Sequence, residues 1–321
     1  MRWGILGPGR IAHNFAEAMK VVEGSCVHAV HSHDASRAQN FAQRFGIQHT
    51  YTDIEQFLAD ELIEAVYIAY PHPMHKAAVE SCLKAGKPVL CEKPLTTCKA
   101  DAQELTLLAQ ESRVFLMEAL WTRFLPVWQK VREWLSEGRI GKLTAIESSM
   151  GFKADLDHNN RLFNPELGGG AIWDLGVYPI SMTEFVLGEQ PNSIEAEYQL
   201  ADTGVEADAR VIFGYENNLQ SRFRCSFYEQ LENELRIEGE QGSIIIEAPF
   251  WGSERARLEF NNGQTETFDA PHQVNGFEYQ IRSSVQCIEE GLLENSQISW
   301  ASTLAAQGLM DNLLAKYIRT P

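Results

Sequence analysis

The sequence predicts an α/β protein. An amino-terminal doubly wound parallel sheet is followed by a carboxyl-terminal α+β domain with a large, mainly antiparallel open sheet. Three observations carry this reading. A glycine-rich loop, Gly7-Pro8-Gly9-Arg10-Ile11-Ala12, stands between an apolar run at residues 3–6 and a helical pattern through Met19. Short apolar runs then alternate with helical patterns as far as Glu118, as a buried parallel sheet with crossover helices requires. From Lys142 the pattern changes to strands joined by turns, several alternating polar and apolar residues, as in a sheet with one covered face.

Residues 27–31 read as the second strand and 35–45 as the helix after it. Residues 53–59 read as a short helix capped by Asp53 or Thr52. Residues 65–69 form a strand, 74–85 a helix stopped by Gly86, 88–91 a strand, 97–110 a helix and 114–118 a strand. In the second half, residues 144–151, 194–200, 207–215, 220–227, 234–238, 243–247 and 255–260 read as strands. Their turns include 216–218 and 240–242. Residues 172–187, 274–290 and 299–318 read as helices, the first of them covering one sheet face.

Composition bounds the function. The chain has 321 residues, about two domains' worth, with 44% hydrophobic and 22% charged residues, which excludes disordered and fibrous architectures. Against 27 Lys and Arg stand 44 Asp and Glu, a net charge of −17, and so acidic a surface disfavours nucleic acid. No apolar run reaches the ~20 residues that span a bilayer, and no secretion signal is read at the start. Six cysteines form no CxxC pair, so reduced thiols in a cytoplasmic protein are expected. No two His, Asp or Glu residues have convincing metal-ligand spacing, and no metal is expected.

Ligands of doubly wound sheets bind beyond the carboxyl ends of the strands. That rule directs attention to residues 7–12, 31–34, 70–75, 92–94 and 118–124. Gly7 allows a tight turn, Gly9 a close approach of backbone to a pyrophosphate, and Ala12 close packing of helix on strand. The candidate cofactor contacts are therefore Gly7, Gly9, Arg10 and Ile11 in the loop, Tyr70, Pro71 and His75 after the third long strand, and Glu92 and Lys93 after the next. At the end of the second strand an acid would bind a ribose 2′-hydroxyl, and a basic residue a 2′-phosphate. Ser32, His33 and Arg37 could cradle a phosphate. Asp34 is the counterargument, but it also suits the helix cap at residue 34, the reading preferred here. NADP(H) is therefore preferred over NAD(H).

Glu92-Lys93-Pro94 ends a buried strand, and Gly168-Gly169-Gly170 precedes Asp174-Leu175-Gly176-Val177-Tyr178. With the glycine loop and Pro71-His72-Pro73-Met74-His75, these motifs resemble the glucose-fructose oxidoreductase/inositol dehydrogenase (Gfo/Idh/MocA) family over essentially the whole chain. Residues 118–126, Glu-Ala-Leu-Trp-Thr-Arg-Phe-Leu-Pro, and the tyrosine at 178 look most like its dimeric dihydrodiol dehydrogenase/NADP-dependent xylose dehydrogenase branch. His33 departs from that branch, where an arginine is common.

The resemblance implies a dinucleotide-binding domain at 1–120 and a substrate-binding and oligomerisation domain at 121–321, with the helix at 299–318 packing back near the first. It implies catalytic Lys93 and Tyr178, assisted by Asp174. The chemistry agrees: hydride exchange at a carbinol carbon needs an oriented cofactor, a proton donor or acceptor, and a stabilised alkoxide. A lysine ammonium near a tyrosine favours the phenolate. Asp174 and Tyr178, four apart on a helix, share a face. By the same resemblance Trp121, Phe152 and Phe277 line the substrate side; Arg123, Arg161 and His158 are further candidates for a polar substrate. The implied substrate is a sugar or trans-dihydrodiol, and the implied assembly a homodimer or tetramer through the second sheet. Two alternatives sit on the same scaffold, a dinucleotide-sensing regulator and an NAD-dependent glycosidase. A sensor has no need of the lysine and tyrosine retained here.

Overall fold

The computed structural model describes residues 1–318 apart from Leu156, His158 and Asn159, so His158 lies outside the described residues. The first half runs β1 (Arg2–Leu6), α1 (Arg10–Met19), β2 (Cys26–His31), α2 (Ala35–Phe45), β3 (His49–Tyr51), α3 (Ile54–Ala59), β4 (Ala65–Ile68), α4 (His75–Lys84), β5 (Val89–Glu92), α5 (Lys99–Ser112) and β6 (Leu116–Ala119). Then come α6 (Pro126–Ser136), β7 (Leu143–Gly151), a π-helical turn (Ile172–Gly176) and α7 (Val177–Leu187). Strands β8 (Ser193–Leu200), β9 (Glu206–Gly214), β10 (Gln220–Ser226), β11 (Leu235–Gly239), β12 (Gly242–Ile246), β13 (Arg255–Phe260) and β14 (Thr265–Asp269) precede helices α8 (Phe277–Glu289) and α9 (Trp300–Ile318).

The chain divides into two compact units. One comprises Met1–Trp121 with Gln273–Leu304, the other Thr122–His272 with Ala305–Pro321.

In the first unit six parallel strands stand in the order β3-β2-β1-β4-β5-β6, the doubly wound arrangement with a reversal between β1 and β4. Trp3, Ile5 and Leu6 of β1 and all four residues of β4 are fully buried, which explains why these strands read as continuous apolar runs. Phe15 of α1 stacks on Tyr67 of β4 with ring centroids 3.9 Å apart. Helix α8 joins this unit along α1: Asn275 donates to the carbonyl of Asn14 (3.0 Å) and Arg282 to that of Val21 (2.9 Å).

In the second unit eight strands stand in the order β14-β13-β12-β11-β7-β10-β9-β8. All neighbours are antiparallel except β7 and β10. Ile146, Phe213, Phe223, Ile237, Ile244 and Leu258 are buried on one face. Helix α7 reaches β10 there, with the hydroxyls of Thr183 and Ser221 2.8 Å apart. Trp128 and Trp134 of α6 donate to the Phe250 carbonyl and the Glu266 carboxylate. The opposite face carries ion pairs, including Arg222 with Glu147 (3.1 Å) and Arg224 with Asp208 (2.6 Å).

The helix expected at 172–187 differs in one respect: its first five residues form a π-helical turn. Pro179 has no N–H for the Leu175 carbonyl, and its ring crowds that carbonyl, so the preceding turn widens. Glu206 of β9 anchors the start of the turn, accepting from the Ile172 N–H at 3.0 Å. Gly170, at φ +125°, passes so close to that carboxylate that a Cβ would strike it.

Burial pushes the Glu206 carboxyl from its ordinary 4.5 up to about 7. A carboxyl with a raised folded-state pKa favours the native state while protonated, and the benefit is lost as pH climbs from 4.5 through 7. The shift of about 2.5 corresponds to about 3 kcal/mol at most. Glu206→Gln keeps an acceptor for Ile172 without the charge. The variant is expected to gain stability over the parent by an amount that grows between pH 5 and pH 8, read by urea unfolding at each pH. A difference that stays flat would show that Glu206 does not titrate in this range.

Candidate active site

The glycine loop is shaped as its sequence requires. Gly7 adopts φ +93°, and a Cβ there would meet the Tyr70 ring at 2.8 Å. The Gly7 N–H donates to the His31 carbonyl and the Gly9 N–H to Gly7, closing a tight turn into α1. Ala12 is fully buried beneath it. Arg10 is exposed and Ile11 half-buried. Helix α1 has no side-chain cap and no acid in its first turn, whereas α2 and α3 are capped by Asp34 and Asp53. Its first N–H groups and the positive end of its dipole are therefore available to an anion.

At the end of β2, Asp34 is the helix cap. Its Oδ1 accepts from the N–H groups of Ser36 (2.8 Å) and Arg37 (3.2 Å) and from the Ser36 hydroxyl (2.6 Å). These bonds, the Ser36 hydroxyl's first, hold its carboxyl below the usual range. The His33 ring and the Arg37 side chain are exposed beside it, and Ser32 is buried. His31 is buried, and burial lowers its pKa. Its Nδ1 meets the Tyr70 hydroxyl at 2.5 Å. Burial also raises the pKa of the Tyr70 phenol.

The turns after β4 and β5 are tied by His75, the first residue of α4. Its ring is fully buried, with Nε2 2.8 Å from the Tyr70 carbonyl and Nδ1 2.8 Å from the Pro94 carbonyl. Burial, opposed by these two bonds, lowers its pKa. Pro71 and Lys93 are half-buried in the two turns so joined. Glu92 is buried beside Lys93. It accepts from the Tyr67 hydroxyl (2.5 Å) and the Lys93 N–H (3.3 Å), and burial pushes its carboxyl up to about 7. Glu118, at the end of β6, accepts from the Leu95 N–H (3.0 Å) and the Thr303 hydroxyl (2.8 Å). The sequence reading flagged residues 118–124 by position but assigned nothing to Glu118 or Tyr67. Their signal would have been a carboxylate and a phenol inside runs otherwise apolar. Trp121 packs on Phe277 in the same unit, with ring centroids 5.0 Å apart.

In the second unit, Asp174 lies in the π-helical turn and pairs with Arg161 at 3.1 Å. Tyr178 is the second residue of α7, 7% exposed, with the Trp251 ring 6.3 Å away. Phe152 is 38% exposed and leans on Phe227. Arg123 is buried. It donates to the Ser181 carbonyl (2.6 Å) and to Glu184 (2.5 Å), so it braces the helix that carries Tyr178.

An uncapped helix behind a glycine turn, at the carboxyl edge of a doubly wound sheet, is the arrangement of a dinucleotide-binding domain. Comparison with known proteins agrees. Residues 1–120 match the model of an oxidoreductase family with an NAD-binding Rossmann fold, and residues 128–245 match the GFO/IDH/MocA C-terminal domain. The chain belongs to this GFO/IDH/MocA oxidoreductase family. It is 33% identical to a trans-1,2-dihydrobenzene-1,2-diol dehydrogenase of Xenopus tropicalis, over 98% of this chain and 97% of that one. With the Mus musculus protein of the same name it shares 34% over 94% and 92%. Among solved structures it resembles a 3-ketoreductase from Actinomadura kijaniata in complex with NADP and TDP-benzene. The TM-score is 0.87 at 25% identity, covering 98% of this chain and 97% of that one. An aldose-aldose oxidoreductase from Caulobacter crescentus shares the fold, with TM-score 0.90 at 20% identity over 99% and 97%. Among the described residues no helix is long and apolar enough to cross a membrane.

Removing one partner of a buried ion pair leaves the other charge uncompensated. Arg123→Met is therefore expected to lower stability by about 3 kcal/mol, measured by urea unfolding. A loss below about 1 kcal/mol, the value of a surface pair, would show that Arg123 does not brace α7.

Proposed function

We propose that the chain is a cytoplasmic NADP(H)-dependent oxidoreductase acting on a secondary alcohol or hemiacetal of a sugar, or on a trans-dihydrodiol. The observation that carries this reading is that one family scaffold holds both a lysine, Lys93, at the carboxyl end of β5 and a tyrosine, Tyr178, at the start of α7. The relatives' names supply the substrate class: dihydrodiol dehydrogenases by sequence, a 3-ketoreductase by structure.

The residues present fit a dinucleotide. The Gly7 turn leaves no room for a side chain, and the α1 terminus lacks an acid of its own. Gly7, Gly9, Arg10 and Ile11 would hold the pyrophosphate, with Tyr70, Pro71, His75 and Glu92 shaping the neighbouring turns. NADP(H) is favoured because Asp34 is engaged as a cap, leaving Ser32, His33 and Arg37 for a 2′-phosphate. The 3-ketoreductase bound to NADP supports the same choice. When bound, the cofactor supplies or accepts the hydride. Lys93 provides the positive charge that favours the alkoxide, and Tyr178 takes the hydroxyl proton in oxidation and returns it in reduction. Asp174, held by Arg161, would orient the polar end of the substrate, while Trp121, Phe152 and Phe277 supply apolar lining. Arg123 acts at one remove, through α7.

The test follows tryptophan fluorescence during titration with NADP⁺ and with NAD⁺. NADPH absorbance is then recorded with D-xylose, D-glucose and a trans-dihydrodiol. NADP⁺ is expected to bind more tightly and at least one substrate to turn over. Lys93→Met and Tyr178→Phe are each expected to reduce turnover about 100-fold or more, leaving NADP⁺ binding nearly unchanged. Full activity in either variant would remove it from the mechanism. Failure of both nucleotides to bind would overturn the reading of the glycine loop.

We also propose that the charged face of the eight-stranded sheet is the dimer surface. The ladder Glu147, Arg222, Arg224 and Asp208 offers self-complementary charges to a second copy. Light scattering on the eluting protein is expected to give twice the chain mass, and Arg222→Glu to shift it toward the monomer. An unchanged mass in the variant would place the contact elsewhere.

A further inference from the structure

We propose that His28, His49 and Asp60 form a binding site for one borderline divalent transition-metal ion of the Zn²⁺ type, separate from the redox chemistry. Each residue comes from a different element. His28 lies in β2, His49 opens β3, and Asp60 closes α3. One ligand atom from each, two imidazole nitrogens and a carboxylate oxygen, lie within 4.8 Å of one another. The His28 Nε2 is 3.0 Å from Asp60 Oδ2, and the two imidazole rings stack with centroids 4.4 Å apart.

The donor set selects the ion. Two imidazoles and one carboxylate suit Zn²⁺ and its neighbours, whereas Mg²⁺ and Ca²⁺ prefer oxygen throughout. Three protein ligands leave a fourth position for water. The carboxylate is already oriented: Oδ1 accepts from the Leu62 N–H (2.9 Å), and Oδ2 accepts from the Tyr51 hydroxyl (3.0 Å). The backbone carbonyl of Asp60 accepts from Lys87 (2.9 Å), which holds the connection to β4. Such outer partners fix ligands elsewhere in metalloproteins. Parallel pairing of Ala29 with His49 sets the two histidine-bearing strands in register.

A plain ion pair accounts for His28 and Asp60 but not for the second ring. A single cation bound between them would engage both ring nitrogens and the carboxylate together. His28 and Asp60 each expose 11% of the side chain, and His49 is exposed, which gives an ion a way in. The net charge of −17 favours its approach. The site lies toward the amino-terminal side of the sheet, since Asp60 precedes β4 and His49 begins β3. The candidate redox residues follow the carboxyl ends of the strands. A bound ion would tie β2, β3 and the α3–β4 connection into one structural unit. The sequence reading expected no metal because it looked for ligand spacing along the chain, and these ligands are brought together only by the fold.

The test uses the full chain after treatment with a chelator. Calorimetry with ZnCl₂ is expected to show one ion per chain. Affinity should fall about 10-fold or more in His49→Ala, whose exposed ring can be removed without disturbing the core. His28→Ala should behave alike, and Tyr51→Phe should weaken binding less. With CoCl₂ the parent should give the visible bands of a four-coordinate site, and His49→Ala should not. Added Zn²⁺ should raise the Tm of the parent and leave that of His49→Ala unchanged. Equal Zn²⁺ affinity in parent and His49→Ala, or no saturable binding to the parent, would overturn the proposal and leave only the ion pair. Near-ultraviolet thiolate bands with Co²⁺ would also overturn it, since they would place the ion on cysteine.

Discussion

A single buried imidazole, that of His75, governs the geometry of the first unit's functional edge. Its two nitrogens face the carbonyls at the ends of two neighbouring strands, Tyr70 after β4 and Pro94 after β5. Burial lowers the pKa of the ring, and the neutral imidazole donates its one N–H to one of these carbonyls. A backbone carbonyl buried without a donor costs about 1–3 kcal/mol, so that turn cannot drift without a penalty. Lys93 sits one residue before Pro94 and Pro71 one residue after Tyr70. The turns that carry a candidate catalytic lysine and the wall beside the glycine loop therefore both pack on one fully buried side chain. Tyr70 carries the constraint onward, because its ring fills the space that a Cβ at Gly7 would need.

The same edge concentrates buried carboxylates, which are costly unless their lone pairs are engaged. Glu92 and Glu118 show two solutions. Glu92 is met by a phenol and a backbone N–H yet remains pushed up to about 7, because burial outweighs those bonds. Glu118 uses its oxygens as a bracket, one on the Leu95 N–H and one on the Thr303 hydroxyl, so the segment leaving Lys93-Pro94 is fixed from α9 as well. Glu206 in the second unit repeats the device at the start of the π-helical turn before Tyr178. In each unit a buried acid thus accepts from a backbone N–H of the segment next to a candidate catalytic residue.

Much of this was legible in the residues, and the omissions have physical causes. The glycine turn, the Asp34 cap and the alternation leading to the doubly wound order rest on local rules that tertiary packing does not overrule. Strand β3 is three residues long and mostly exposed at a sheet edge, too short to show a period. The widened turn at Ile172–Gly176 arises from Pro179, three residues beyond its end, and a helical pattern cannot show that. Helix α8 was readable as a helix, but nothing in its period says that it lies along α1, some 260 residues earlier. Arg123 was read as a polar group for a substrate and Asp174 as an assistant to the catalytic pair. The bonds from Arg123 to α7 and the ion pair of Asp174 with Arg161 form only in the fold, and no spacing along the chain shows them.

The proposed preference for NADP(H) turns on how one carboxylate is engaged. An acid at the end of β2 binds a ribose hydroxyl through its oxygens, and one of the two in Asp34 accepts three hydrogen bonds from the first turn of α2. Those bonds also keep it ionised well into the acid range, since they favour the charged form. A negative charge so placed would repel a 2′-phosphate if it stood alone. It is instead drawn into the helix terminus, whose dipole and amides compensate it, while His33 and Arg37 stand exposed beside it. The bonds that start α2 thus engage one oxygen of the acid that stands where a free carboxylate would favour NAD(H).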